Sequence, residues 1–367
     1  MIYFTLNWFI SFAITLFLIK TRKNNILLDF DLSGAQKIHR TPVPRVGGLG
    51  IYLSLWILLA YITFTKEYNY LLQNFLTASL PIFCLGLIED LTKNISPQKR
   101  LLAAFISSAL GIYLTNSYIS YIDVKYLDSL FTFLPFAYLF TAFAVAGVIN
   151  SINIIDGLNG LASIVSCIMF LSMAYLGWKE QDIQVVLIAL GCIGAILGFF
   201  VFNFPRGFIF LGDGGAYFIG FMLAQISIYL VYTHKNISPW YPLLLFIYPI
   251  FETLFSIYRR KILRGISPGL PDGIHLHMLI YKRLMRWMVG SNINAHITKR
   301  NSLTSPYLWV LSAMAVIPAT LFYNKTFILQ IFCLIFIISY VWLYIRIIKF
   351  KSPKWLIVKK TDCKNYE

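Results

Sequence analysis

Long apolar runs alternate with short polar clusters from one end of the chain to the other. Eleven of these runs are each long enough to cross a bilayer as a helix, at roughly 3–20, 47–64, 71–88, 100–116, 131–149, 161–177, 183–202, 215–232, 241–258, 305–323 and 327–347. The runs are continuous and do not alternate at period two, which argues against a membrane barrel. Open sheets are excluded, because lipid leaves their edge groups unpaired. The pattern predicts an all-α integral membrane protein, a polytopic bundle of about 11 transmembrane helices. The first run lacks both a basic start and a small-residue cleavage site, so it reads as a helix and not as a signal peptide.

Composition sharpens this picture. The chain is 58% hydrophobic and 13% charged, with a mean hydropathy of +0.71, whereas soluble domains are about a quarter charged. The net charge is +16, and its distribution follows the loops. The segments 21–46, 89–99, 150–160, 203–214, 259–304 and 348–367, with their flanks, hold about 26 Lys and Arg; the alternate loops hold about 5. That bias places the basic set in the cytoplasm, with the N-terminus outside and the C-terminus inside, and it explains the charge without nucleic acid as a partner. The chain reads as one polytopic domain, 1–367, with a basic tail at 348–367. Arg259, Arg260 and Lys261 read as topology signals resting on anionic headgroups. Cys84, Cys167, Cys192, Cys333 and Cys363 show no metal spacing and read as packing residues.

Every distinctive polar cluster falls in the basic set of loops: KIHRTPVPRVGG (37–48), GLIEDLTKNISPQKRL (86–101), NSINIIDGLNGLA (150–162), FNFPRGFIFLGDGGA (202–216) and SPGLPDGIHLHM (267–278). Any one acid alone is also readable as a loop residue at the bilayer edge. As a set, Glu89, Asp90, Asp156 and Asp213 are unusual, because carboxylates near membrane depth are costly. Oxygen ligands from several helix ends, with positions left open for phosphate, suit Mg²⁺. Gly157, Gly160, Gly214 and Gly215 let backbone approach a ligand just before a following helix, whose N-terminus favours anions. Lys37, His39, Arg40 and Arg45 precede Gly47 and Gly48, with Pro42 and Pro44 stiffening the segment. His275 and His277 stand two apart in a loop, which is poor zinc spacing, and beside Arg and Lys they read as phosphate contacts. One face of the bundle thus suits a reaction between an anionic phosphate ester and an anionic lipid, brought together by metal and cations.

These motifs resemble those of the polyprenyl-phosphate N-acetylhexosamine-1-phosphate transferases of glycosyltransferase family 4. The resemblance covers about residues 20–280 and rests on PVPRVGG, NSINIIDGLNGL and FNFPRGFIFLGDGG, in that order. It implies Mg²⁺-dependent transfer (with Mn²⁺ as an alternative) of an N-acetylhexosamine-1-phosphate, such as GlcNAc-1-phosphate, from a UDP-sugar to undecaprenyl phosphate. UMP is released, and surface-polysaccharide synthesis begins at the cytoplasmic face of a bacterial inner membrane. By position, Asp213 resembles the metal-binding Asp. Glu89 and Asp90 match the paired acids that handle the metal or the lipid phosphate's proton. Asn153 and Asp156 resemble active-site residues near the diphosphate. Gly157, Leu158, Asn159 and Phe210 match the uridine pocket, with Phe210 placed to stack on uracil, and Asn203 resembles a nucleotide contact. Lys37 and Arg45 match phosphate-binding positions, and His275 and His277 match the histidine motif of the last loop. A homodimer is compatible with all of this.

The chain departs from the family pattern at four points. Glu89 stands where Asp is usual, the spacing from Asp90 to Ile95 and Ser96 is one residue long, Asn159 stands where Asp is common, and Met278 where a further His is often found. The short histidine run favours an O-antigen, capsule or exopolysaccharide branch over the peptidoglycan enzyme, which is the alternative. A transporter is the rival from another class, but it would place polar groups near the midplane, often with internal repeats. Here they gather at one surface, and no repeat is found.

Overall fold

The computed structural model describes residues 2–21, 28–29, 42–65, 69–265, 272–286 and 294–349. Lys37, His39, Arg40, Cys363 and the basic tail lie outside the described residues. The helices are α1 (Ile2–Lys20), α2 (Gly47–Phe64), α3 (Tyr70–Thr92), α4 (Pro97–Thr115), α5 (Leu134–Ile155), α6 (Leu161–Lys179) and α7 (Ile183–Asn203). They continue as α8 (Gly212–Thr233), α9 (Trp240–Leu245), α10 (Ile247–Ile257), α11 (Leu276–Leu279), α12 (Asn294–Leu321) and α13 (Thr326–Ile348). Wider π-type turns follow α10 and α11, at Tyr258–Leu263 and Ile280–Met285.

The fold is that of an all-α polytopic membrane protein. Among the described residues nine helices are long and apolar enough to cross a membrane: α1, α2, α3, α5, α6, α7, α8, α12 and α13. The two other predicted crossings are helical but differ in kind. α4 opens with Lys99 and Arg100 and buries Ser107 and Ser108, which lowers its apolar content. The run 241–258 is not one helix. It breaks at Phe246 into α9 and α10, because Pro249 lacks an N–H and its ring crowds the carbonyl four residues earlier, at Leu245. The segment expected to be wholly loop before α2 holds a minimal antiparallel pair, Leu28–Asp29 with Val43–Pro44; Pro44 favours the extended form of the residue before it.

Local chemistry sets the helix ends. Asn69 caps α3 by accepting from Leu72 N at 2.9 Å, and Ser96 caps α4 ahead of Pro97. Pro81 sits inside α3, and the neighbouring Ile82 N–H donates to Ser107 Oγ of α4 at 3.1 Å. A side chain on the next helix thus takes up backbone that a proline disturbs, as lipid requires.

α8 is the axis of the bundle, almost wholly buried and packed against α2, α3, α4, α5 and α6. Its first turn meets α2 backbone to backbone. A Cβ on Gly48 would lie 2.2 Å from the Gly215 Cα, so only glycine permits this approach. The sequence GDGG therefore sits at the centre of one end face of the bundle.

Candidate active site

Four helix ends meet at Asp213. The Arg45 guanidinium, just ahead of α2, donates from Nη2 to Asp213 Oδ1 at 2.8 Å. Asn153 Nδ2, in the last turn of α5, donates to the same oxygen at 3.0 Å. Arg100 Nη1, in the first turn of α4, reaches Asp213 Oδ2 at 3.3 Å and the Tyr217 hydroxyl at 3.3 Å. Asp90, in the last turn of α3, accepts from the N–H groups of Asp213 (2.8 Å) and Gly214 (2.9 Å), and Arg45 Nε lies 3.6 Å from its Oδ1. The Gly212 turn makes this closure possible: its φ is +80°, and a Cβ there would lie 2.2 Å from the Arg45 carbonyl and 2.5 Å from Asp90 Oδ2.

Asp156 follows α5 and lies within electrostatic reach of Arg45, Asp213 and Asp90. Its carboxylate accepts no hydrogen bond from the described residues and is half-buried. Desolvation pushes its pKa well above the ordinary carboxylate range; Arg45 opposes this, while Asp213 and Asp90 add to it. Glu89 couples electrostatically to Arg100, and its Oε2 accepts from Ile95 N at 2.7 Å. The four predicted acids therefore converge around two guanidiniums, at one end of the bundle.

A hard divalent cation fits this donor set. Four carboxylates (Glu89, Asp90, Asp156, Asp213) face two arginines, a formal excess of two negative charges among the described residues. Nothing among the described residues donates a hydrogen bond to the Asp156 oxygens. Among the described residues no three His, Cys, Asp or Glu side chains make a ready cage.

The structure reassigns several predicted residues. Asp90 spends one lone pair of each oxygen on the backbone that opens α8, so its first task is to cap that helix. Asn203 accepts from Gly160 N at 2.6 Å and donates to Ile209 O at 2.8 Å, which pins two loops together. Asn159 is 2% exposed and donates to Pro205 O at 3.0 Å, and its own N–H is held by Asn301 Oδ1 at 2.8 Å. Leu158 is buried in the core. These residues shape the predicted uridine turn from beneath, and their polar groups point into the protein. Phe210 is half-buried, its backbone fixed by Pro44 O (2.8 Å) and Gly47 N (2.9 Å), beside Arg45.

The histidines are also buried. His275 Nδ1 is 3.1 Å from Glu252 Oε1 of α10, and His277 stacks parallel to it at 5.3 Å. His277 lies over Gly157, where a Cβ would be 2.8 Å from its Nε2. Burial above all, helped by His275 and Lys282, lowers the His277 pKa to about 4, so the ring is neutral at pH 7. Of the three cations expected at the headgroups, Lys261 is exposed, but Arg259 and Arg260 are 5% and 7% exposed, and Arg259 is ion-paired with Asp272; the expectation fails for these two because the π-type turn carries them inward. The reading of the cysteines as packing residues holds for Cys167, Cys192 and Cys333, which are buried, whereas Cys84 is exposed.

Arg100, Tyr217 and Asn301 were not singled out by the motifs. Arg100 left a trace in the sequence: a cation in a helix's first turn opposes the macrodipole, and so calls for a nearby anion. Asn301 left none.

Residues 72–231 match the family model for glycosyl transferase family 4. Over that segment the chain is similar to glycosyl transferase family 4. The family match contains Glu89, Asp90, Arg100, Asn153, Asp156, Asn203, Phe210 and Asp213, and leaves out Arg45, His275 and His277. A probable undecaprenyl-phosphate N-acetylglucosaminyl 1-phosphate transferase of Bacillus subtilis is 25% identical over 249 residues, 67% of this chain and 68% of its own. An undecaprenyl-phosphate alpha-N-acetylglucosaminyl 1-phosphate transferase of Escherichia coli O157:H7 is 29% identical over 261 residues, 69% of each chain. A phospho-N-acetylmuramoyl-pentapeptide-transferase of Lactobacillus johnsonii is 29% identical over 278 residues, 68% of this chain and 82% of its own. The chain is a multi-pass membrane transferase.

Proposed function

We propose that the protein transfers an N-acetylhexosamine-1-phosphate, GlcNAc-1-phosphate first among candidates, from a UDP-sugar to undecaprenyl phosphate. UMP leaves, and the lipid-linked diphosphate sugar opens the synthesis of a surface polysaccharide. The observation that carries this reading is Asp213, held by Arg45, Arg100 and Asn153 from three other helix ends at one pole of an apolar bundle. The names of the Bacillus and Escherichia relatives support the substrates. The positive-inside bias supports a cytoplasmic site, an outside N-terminus and residence in a bacterial inner membrane.

The reaction makes one phosphoanhydride and breaks another, so the protein's task is to position two anions and balance charge. Arg45 and Arg100 are part-exposed, with side chains 31% and 25% accessible. Their outer N–H groups face incoming phosphates while Asp213 holds them in place. Mg²⁺ bound by Asp213 and Asp156 would polarise phosphoryl oxygens and neutralise charge. Asn153 keeps Asp213 oriented, and Asp156 is suited to accept a proton. Phe210 offers its ring to uracil beside Arg45.

A peptidoglycan-type phospho-MurNAc-pentapeptide transfer is the second reading, favoured by the Lactobacillus relative. The test is UMP release by purified protein with undecaprenyl phosphate, Mg²⁺ and a panel of UDP-sugars, with mass spectrometry of the lipid product. UDP-GlcNAc turnover that needs both metal and lipid is expected. Turnover of UDP-MurNAc-pentapeptide alone selects the second reading, and no UMP release with any donor would reject both.

A further inference from the structure

Glu252 is the one acid in the predicted run 241–258, and it is 1% exposed. A carboxylate buried among apolar helices is costly unless it is paired and hydrogen-bonded, so its partners indicate its purpose. Oε1 takes two hydrogen bonds from one short segment: the His275 ring through Nδ1 at 3.1 Å and the backbone N–H of Leu276 at 2.9 Å. The phenols of Tyr248 and Tyr340 lie within electrostatic reach of the same carboxylate.

We propose that Glu252 is a positioning residue which fixes the histidine pair against the turn that follows Asp156. The inference rests on the transferase reading for its kinetic consequence, but not for its geometry. A carboxylate only accepts, so the bond to Oε1 requires the proton of His275 to sit on Nδ1. Holding Leu276 N as well fixes the backbone on which His277 is carried. His277 stacks on His275 within 5° of parallel and rests on Gly157. A chain of contact therefore runs from α10 through two imidazoles to the glycine beside Asp156, which the family match contains. Asp272 lies 3.7 Å from His275 Nε2, beyond hydrogen-bond distance, and is itself paired with Arg259.

The test compares Glu252→Leu, Glu252→Gln, His275→Ala and the double variant Glu252→Leu/His275→Ala in detergent. Glu252→Leu lowers kcat/KM for the UDP-sugar by about 10–100-fold, the range for loss of a group that orients a first contact. Glu252→Gln, whose amide oxygen still accepts both bonds, stays within a few-fold of wild type. The double variant is no worse than His275→Ala, because Glu252 acts through that ring. Losses that multiply in the double variant, or a Glu252→Gln as poor as Glu252→Leu, overturn the proposal. The second readout needs no activity. With five histidines in the chain, ¹⁵N-histidine spectra report the His275 tautomer: Nδ1-protonated in wild type and Glu252→Gln, mixed in Glu252→Leu. An unchanged His275 signal in Glu252→Leu overturns the positioning role. A wild type that releases no UMP, with the tautomer shift present, rejects the transferase reading alone.

Discussion

Two carboxylate clusters lie near one pole of this bundle, and they are built on opposite terms. In the first, Glu89, Asp90, Asp156 and Asp213 surround Arg45 and Arg100, whose side chains remain a quarter to a third exposed. In the second, Glu252 and Asp272 meet Arg259 and His275, all 6% exposed or less. Burial pushes Asp156 up in the first. Burial also opposes ionisation of Asp272 in the second, yet the Ser256 hydrogen bond, the neighbouring His275 and the Arg259 guanidinium hold it below the ordinary range. Both clusters are desolvated. The second meets its acids with buried donors, whereas the first, among the described residues, has more acids than cations and leaves those cations reachable. An accessible cluster is arranged for something that arrives, and a sealed one holds a shape.

Substitutions break the comparison where the two clusters differ. Asp213→Ala is expected to cut kcat by about a thousandfold or more, the scale of removing a key electrostatic group, while the protein still inserts and keeps its helical circular dichroism. Substantial UMP release by this variant would take Asp213 out of the site. Arg259→Leu is expected to act on stability instead. It leaves a buried Asp272 without its guanidinium, at a cost of about 3–5 kcal/mol, read as a lower unfolding midpoint in detergent. A variant as stable as wild type would mean the sealed cluster is not structural.

Phe210→Ala sharpens the picture of the open cluster. KM for the UDP-sugar should rise about tenfold, as expected for one lost stacking contact, with KM for the lipid unchanged. Equal shifts in both would argue against a uracil platform. The smallest effect is the pH dependence at Asp156. Its folded pKa lies above its unfolded value of about 3.9, so the folded state binds that proton more tightly. Its contribution is full below the unfolded value and is lost as pH rises through the folded one. Without metal, Asp156→Asn should flatten that decline in thermal midpoint, and added Mg²⁺ should raise the midpoint of wild type more than that of the variant. Identical Mg²⁺ responses would remove Asp156 from the cation's ligands.

The four acids and the glycine turns were legible because each is a local exception, a polar cluster between apolar runs. Asn159 and Asn203 show the limit of such reading. Both stand in motif positions, yet both amides serve the backbone of other segments, and nothing in a linear spacing says whether an amide points in or out. Glu252 shows the converse: it lies in no motif, and only the return of the 272–286 segment gives it a partner.

By itself the sequence determined a helical, membrane-spanning chain with its chemistry collected on one side, because run length and loop charge are properties read along a line. Tertiary structure alone decided how each lone pair is used. Asp90 caps a helix through Asp213, 123 residues later, Arg45 reaches an acid 168 residues away, and Arg259 turns inward to Asp272. Desolvation depends on what packs around a group, and here the neighbours come from other helices.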